Sequence, residues 1–445
     1  MNQQIKATFH EEAREIPVLA EADVLVCGGG PAGVGAAITA ARQGVKTMII
    51  EKEDCLGGIA TAGMMSHWGG RSSSRVMQEI FRRTREKGEI VGWKEENQSG
   101  ERPGTYNAIA HDAQKIVLDE MAKEAGVEIL FYTSVCGVST VNNKVEGAIV
   151  ENKSGRGFIR AKIIVDSTGD GDAAYYAGVP YCLGREEDHK MQPATIMFKL
   201  GGVDYSRAVF PGSFETLVPT EKGELQSLGK KILPFPAGHV LLYRQPEEGT
   251  VCVNMTNSIG VDGTNAQSIT NATIECRSQI EPIIRFLREY APGYENCWLM
   301  STASLLGVRE TRHFEGVERL EKDDVLTAKY YENWVVRHAF FNFDVHNLTG
   351  SGLDKTGVQH EWKQNGTYTI PYGCLLPKKV EGLLLSGRNI SGSHLAHSNF
   401  RIMSVCIALG EAAGAAAALC VKQGKKSLKE VNVKEIQSIV GADEY

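Results

Sequence analysis

The sequence predicts an α/β protein: a parallel sheet carrying a β-meander in one domain, with a mixed α+β domain inserted into it. Three observations predict it. Ala22 to Lys52 reads as strand, glycine turn, helix and strand. Thr133 to Gly169 reads as strands joined by tight turns. From about Tyr181 to Pro377 strand-like pieces alternate with one long helical stretch and no nucleotide motif, after which another apolar strand and an Ala/Gly-rich helix close the chain. Residues 1–180 and 377–445 are thus two parts of one domain, and 181–376 the insertion.

The first unit is the most specific. Val24-Leu25-Val26 is an apolar run suited to a buried parallel strand. Gly28, Gly30 and Gly33 follow in G-x-G-x-x-G spacing. The first allows a tight turn, the second lets backbone approach a pyrophosphate, and the third lets helix pack on strand. The helix "AGVGAAITAARQG" ends with Gly44 as a C-cap. Its N-terminus offers free N–H groups to phosphate. A second strand, Thr47 to Ile50, ends in Glu51, 21 residues after Gly30, where an acid accepts from ribose hydroxyls and disfavours a 2′-phosphate. Together these predict a Rossmann-like dinucleotide site.

Later elements follow in order. "HDAQKIVLDEMAKEAG" is a helix with Asp112 as N-cap and Gly126 as C-cap. Asn97 to Gly104 is a turn-rich excursion. Turns at Asn142-Asn143 and Ser154-Gly155 join the meander strands, and "IIVDSTGD" delivers a further strand end, with Asp170 a helix cap in the plainest reading. In the insertion, "TIMFKL", "HVLLYR" and "TVCVNMT" are strands and Asn265 to Tyr290 a helix, giving a mixed sheet with helices. Leu383 to Ser386 is a last buried strand, and a long helix runs from about Asn399 to Gln423, capped by Ser398 or Asn399. Ile402 to Cys420 within it is apolar but rich in Ala and Gly and carries Glu411. That composition suits a buried helix approached closely by something flat better than a membrane span.

Gly57-Gly58, six and seven residues past Glu51, would let the chain run close under a pyrophosphate and ribityl chain. With this pair in place the sequence resembles the FAD-dependent oxidoreductases of the glutathione-reductase-like superfamily. Within it the likeness is strongest to a broad bacterial family of FAD-dependent oxidoreductases, with the heterodisulfide reductase flavin subunit and, distantly, fumarate reductase flavoproteins as relatives. The resemblance implies FAD in a Rossmann-like FAD-binding domain, held by Gly28, Gly30, Pro31, Ala32, Gly33, Glu51, Lys52, Gly57, Gly58, Ile59, Ala60 and Thr61. It adds Val135 ending a strand near the adenine, and the turn Thr168-Gly169-Asp170. It adds Gly387-Arg388-Asn389, where the wider class has Gly-Asp, and Asn399, Arg401 and Ile402 at the start of the last helix, aimed at the flavin.

Composition bounds the rest. A net charge of -6 and no long basic run argue against nucleic acid as the partner. The N-terminal stretch lacks the apolar core of a signal peptide, and the ten cysteines form no C-x-x-C pair, so the expected setting is the cytoplasm with reduced thiols. No second G-x-G-x-x-G occurs. The flavin would therefore exchange electrons with a small substrate, and then with a small-molecule or protein electron acceptor.

The candidate catalytic residues are His394, His397 and Arg401 in "SHLAHSNFR", and Arg309 and Arg312 in "GVRETRHFEG". Histidine titrates near neutrality and suits general acid–base work. Arginine pairs suit an anion or polyol, though Arg309, Glu310 and Arg312 also read as a surface salt-bridge cluster. A metal on the histidine pair lacks a nearby third ligand in sequence, so none is expected. His67 and Cys55 lie near the FAD segment, where a covalent flavin link would form. The predicted activity is hydride transfer between flavin N5 and a small polar or anionic substrate; the alternative is an electron-transfer subunit serving a redox partner.

Overall fold

The computed structural model describes residues 8–94, 105–214, 216–353 and 364–441; the turn-rich stretch Asn97 to Gly104 lies outside them. Strand β1 (Val18–Cys27) starts exposed and ends with Val24 to Cys27 buried, as the apolar run requires. It pairs in parallel with β2 (Thr47–Ile50), whose four residues are all buried, and β2 with β3 (Glu128–Leu130). The meander comprises β4 (Ser134–Val141), β5 (Lys144–Asn152) and β6 (Gly155–Asp166). Asn142 and Asn143 join β4 to β5 with φ of 50° and 62°. Two consecutive left-handed residues make the tight hairpin turn that asparagine tolerates. The sheet order is β3-β2-β1-β6-β5-β4.

Helix α1 (Pro31–Arg42) follows β1, with Pro31 at its first position. Gln43 caps its C-terminus, and the left-handed Gly44 follows one residue later than predicted. Helix α2 (His111–Ala125) is capped at its N-terminus by Ala110, not Asp112, which falls inside the first turn. There Asp112 still favours the positive end of the helix dipole. Gly126 is the left-handed C-cap. Val135 is the second residue of β4, not the end of a strand.

The insertion has its own core. Strands β7 (Phe198–Gly201), β8 (Leu242–Arg244), β9 (Val251–Val253) and β10 (Trp298–Thr302) form a sheet in the order β8-β9-β7-β10. Every pairing is antiparallel, so the sheet is not mixed. Helix α3 (Ala266–Tyr290) is capped by Asn265, which accepts from the Ser268 N–H at 3.0 Å. Its Ile280, Ile283, Ile284 and Leu287 share a core with Phe198, Leu200, Val251 and Val253. Between Phe314 and Leu376, which the sequence assigns to the insertion, most buried apolar side chains among the described residues pack instead in the core of the first sheet, Leu320, Trp334, Val336, Phe343 and Ile370 among them. Strand β11 (Arg312–Phe314) marks that return.

Strand β12 (Leu383–Leu385) joins the first sheet beside β6. The single long helix expected after it is two: α4 (His394–Phe400) and α5 (Met403–Lys422), broken at Arg401-Ile402, with Ile402 as cap. Neither Ser398 nor Asn399 caps; both lie within α4. Among the described residues α5 is the one helix long and apolar enough to cross a membrane, and 89% of that window is buried inside the protein. The flat partner its small residues admit is α1. A Cβ on Gly410 would lie 1.9 Å from the Ala32 carbonyl oxygen, and one on Gly414 2.3 Å from that of Ala36. Glu411, the one acid in this helix, accepts from the Ser74 hydroxyl and from the N–H of Val76 at 2.9 Å, closing the N-terminus of helix Arg75–Glu86. All ten cysteines are free and eight are buried.

Candidate active site

The dinucleotide cradle forms where β1, β6 and β12 end. Gly28 has φ +97°, and a Cβ on Gly33 would lie 1.8 Å from the Gly28 carbonyl oxygen, so helix and turn touch backbone to backbone. No side chain caps the first turn of α1, which leaves its N–H groups for phosphate. Gly30 faces open space, and the second glycine turn lies against it: a Cβ on Gly58 would be 2.9 Å from the Gly30 Cα. Glu51 is buried, accepting from the Gly29 N–H at 2.5 Å and the Glu53 N–H at 2.9 Å. A carboxylate has about four acceptor sites, so ribose hydroxyls can still be met. The hydroxyls of Ser167 and Ser386, at the ends of β6 and β12, are buried without partners among the described residues. Glycine turns with room beside them and orphaned hydroxyls at strand ends fit a bound dinucleotide.

Other predicted contacts are partly consumed by the fold. Ala60 and Thr61 are buried, and the Thr61 hydroxyl donates to the Leu56 carbonyl at 2.6 Å. Lys52 points to solvent. Asp170 is not a helix cap; Gly171 is. Its Oδ1 accepts from the Thr311 hydroxyl and from Arg388 Nη2, both at 2.6 Å. Arg388 is thereby committed to the turn. Asn389 bridges the strand ends, accepting from the Ser386 N–H and donating to the Asp166 carbonyl, each at 3.0 Å. Asn399 accepts from the Tyr368 hydroxyl and donates to the Phe341 carbonyl. Cys55 is buried, which pushes its thiol up to about 11 and leaves little thiolate for a covalent link.

The segment from Arg309 to His313 is not a surface cluster. Glu310 is fully buried, and its Oε1 accepts from His394 Nδ1 at 2.6 Å and His313 Nε2 at 2.8 Å. Its Oε2 accepts from the Gln192 N–H at 3.1 Å. Burial opposes the Glu310 charge, but the two imidazole hydrogen bonds outweigh it and hold the carboxyl well below its usual range. Burial also opposes charge on His394, and Glu310 overcomes it, raising the imidazole above its ordinary value. His397 packs edge-on against His313, 4.8 Å between ring centres, and burial, then His313, keep it neutral. Ligand atoms of Glu310, His313 and His397 lie within 4.8 Å of one another, so the fold supplies the acid that sequence spacing lacks. Two imidazoles already donate to the same carboxylate oxygen, which favours a hydrogen-bonded network over a metal centre there.

Arg309 and Arg401 meet at a second cluster. Arg401 Nη2 donates to Asp344, to the carbonyl and to Oδ2, each at 2.8 Å. Arg309 Nη1 donates to the Pro193 carbonyl at 2.5 Å and the Thr195 hydroxyl at 2.9 Å. Burial, then Arg401, pull Arg309 down to about 10, so it stays cationic at neutral pH. Burial pushes the Asp344 carboxyl up, but His346, Arg401 and Arg309 together hold it below its usual range. Burial, then Arg309, bring His346 down to about 4. Gln192 connects the two clusters, since its Oε1 accepts from the His346 N–H at 3.1 Å.

Arg312 belongs to neither. It donates to the Asp170 carbonyl and to Asp172 Oδ1, each at 2.9 Å, with its guanidinium 4.4 Å from the Tyr175 ring centre. Sequence reasoning missed Asp344, His346 and His313 and assigned Glu310 no role of its own. The strings "FDVH" and "RETRH" carried a signal: ionisable residues inside apolar runs must be partnered when buried.

Known proteins resemble parts of this chain. The digeranylgeranylglycerophospholipid reductase of Thermoplasma acidophilum is 28% identical over 157 residues, covering 33% of this chain and 39% of its own. The thiamine thiazole synthase of Methanococcus vannielii is 30% identical over 165 residues, 34% of this chain and 57% of its own. The chain thus spans between 39% and 57% of the length of these two relatives. Among solved structures, a geranylgeranyl bacteriochlorophyll reductase-like protein of Thermoplasma acidophilum aligns with a TM-score of 0.51 at 16% identity, over 94% of this chain and 82% of that one. The p-nitrophenol 4-monooxygenase PnpA of Pseudomonas putida aligns with a TM-score of 0.50 at 12% identity, over 95% and 84%. At such identities these neighbours establish the fold alone. The match that covers nearly the whole chain is to a family, over residues 23–440, and the protein accordingly belongs to the FAD dependent oxidoreductases, enzymes of the flavoprotein class that use FAD.

Proposed function

We propose that the protein catalyses hydride transfer between FAD and a small polar or anionic organic substrate. The observation that carries this reading is the convergence of Arg309, Glu310, His313, Asp344, His346, His394, His397 and Arg401 into a buried polar site beside the cradle. The two lie side by side: a Cβ on Gly307 would fall 3.3 Å from Ile59, and Thr311 and Arg388 share Asp170. Bound FAD supplies hydride exchange at N5. The chain supplies the rest. Glu310 holds His394 by Nδ1, leaving Nε2 as the nitrogen that gives a proton to, or takes one from, a substrate. His397 stays neutral inside the site, and Arg309 and Arg401 orient polar groups.

An electron-transfer subunit, the reading implied by likeness to heterodisulfide reductase, needs a cofactor edge open to a protein; the buried position of both clusters supports a small substrate instead. Ten free cysteines fit a reducing compartment such as the cytoplasm. The test is anaerobic: photoreduce the FAD-loaded protein, then screen small-molecule acceptors for reoxidation. Turnover lost in His394→Ala with FAD retained supports the assignment. Full turnover in that variant refutes it.

A further inference from the structure

We propose that Arg309 and Arg401 form an anchor for one substrate carboxylate, a site whose charge is set to +1 by Asp344. The proposal rests on the reading above and narrows it to monocarboxylates. This cluster holds two guanidiniums and one carboxylate: Arg401 donates directly to Asp344, and Arg309 is near enough for its charge to act on both. His346 and His239, at about 4 and about 3, add no charge at neutral pH. The neighbouring carboxylate, Glu310, is taken up by its own hydrogen bonds to His394 and His313. One positive charge is left over. A buried charge without a counter-ion is costly, and the described residues supply none.

The donors point the same way. Arg401 Nε is buried with no partner among the described residues, and so is Gln192 Nε2. Among the described residues the hydrogen bonds of Arg309 all leave from Nη1, so its remaining N–H groups are available. Unfilled planar donors from two guanidiniums match the two oxygens of a carboxylate. A single excess charge matches a monoanion better than a phosphate, which carries nearly two. Arg312 and Arg388 are excluded from the role, because Asp172 and Asp170 already neutralise them.

The test needs no knowledge of the true substrate. FAD-loaded protein is titrated at constant ionic strength with sodium benzoate, sodium acetate, their neutral amides and inorganic phosphate. The visible difference spectrum reports perturbation of the flavin, and calorimetry reports binding independently. Saturable binding of a carboxylate, with the matching amide at least about tenfold weaker, supports the anchor. Arg309→Gln should weaken the carboxylate roughly tenfold or more with FAD content unchanged, and Arg309→Lys should restore part of it. Asp344→Asn adds one positive charge and should shift preference toward phosphate. Amides that bind as well as acids, no binding by any carboxylate, or an Arg309→Gln variant with unaltered affinity would each overturn the proposal. Protein that takes up no FAD defeats the earlier reading instead, a distinct result.

Discussion

Replacing Glu310 by glutamine tests the centre of the site. The carboxylate is fully buried and takes two imidazole donors on one oxygen, at 2.6 and 2.8 Å. Glutamine keeps the volume and one acceptor but removes the charge. Hydrogen bonds to a charged group contribute about 1.5–3 kcal/mol each, and breaking a buried pair costs about 3–5 kcal/mol. We expect a loss near 3 kcal/mol at pH 6, where His394 is protonated. His394 has a folded pKa raised above its unfolded value, so its share of stability is complete below the unfolded value and fades as pH rises through the folded one. The penalty should therefore be smaller at pH 9 than at pH 6, falling toward about 1.5 kcal/mol, the low end for a hydrogen bond to a charged carboxylate, as the charge on His394 is lost. Urea unfolding of parent and variant at both pH values, at equal FAD saturation, gives the two differences. Histidine NMR titration should also show one imidazole titrating at lower pH in the variant. A penalty equal at pH 6 and pH 9, or unmoved histidine titrations, refutes the account.

Gly33→Ala should leave the protein nearly free of flavin as purified, because the new methyl would lie 1.8 Å from the Gly28 carbonyl; a normal flavin-to-protein ratio contradicts the cradle. Gly410→Val should destabilise by about 3 kcal/mol or more in denaturant, since α1 and α5 touch there through backbone, and an unchanged midpoint would show that the helices are not locked. Acid should weaken the fold below about pH 6.5. His67 and His239 at about 3, and His111 and His346 at about 4, stay neutral when folded and take up protons when unfolded. Glu411 at about 7 and Asp166 at about 6 hold protons in the fold and work in the opposite direction. His397, kept neutral by burial, adds to the first group, so about three protons remain, or ~4 kcal/mol per pH unit, and urea midpoints at pH 7, 6 and 5 that do not fall would contradict this.

Local features were legible in the sequence because neighbouring residues decide them. Gly28, Gly30 and Gly33, the strand Thr47–Ile50 and the Asn142-Asn143 hairpin each carry their geometry in adjacent side chains. The break between α4 and α5 carries no Gly or Pro and was invisible. Asn399 bound to Tyr368, and Arg401 to Asp344, tie the chain there across 31 and 57 residues. Asp170 looked like a cap because a strand end before a helix usually needs one. Gly171 took that place, with φ of 70°, and freed the carboxylate for Arg388, 218 residues away. The catalytic residues were named individually from local strings, yet their grouping depends on which arginine finds an acid. Arg312 finds Asp172 and leaves the site, while Arg309 finds only neutral acceptors and stays in it.

That sorting separates two tasks. Around Glu310 the carboxylate is filled by two imidazole donors, so the ring of His394 is held in place for proton exchange at Nε2. Around Asp344 two guanidiniums meet one carboxylate, so the cluster asks for a ligand. Gln192 spans the pair, donating its backbone N–H to Glu310 and accepting from the backbone of His346. Both contacts come from the short segment of the insertion that also supplies Pro193 and Thr195 to Arg309. A shift of that segment would move the proton donor and the anchor together. Substrate choice should then be most sensitive to residues 192–195, which touch both clusters, and least to Arg312, whose charge is spent on Asp172.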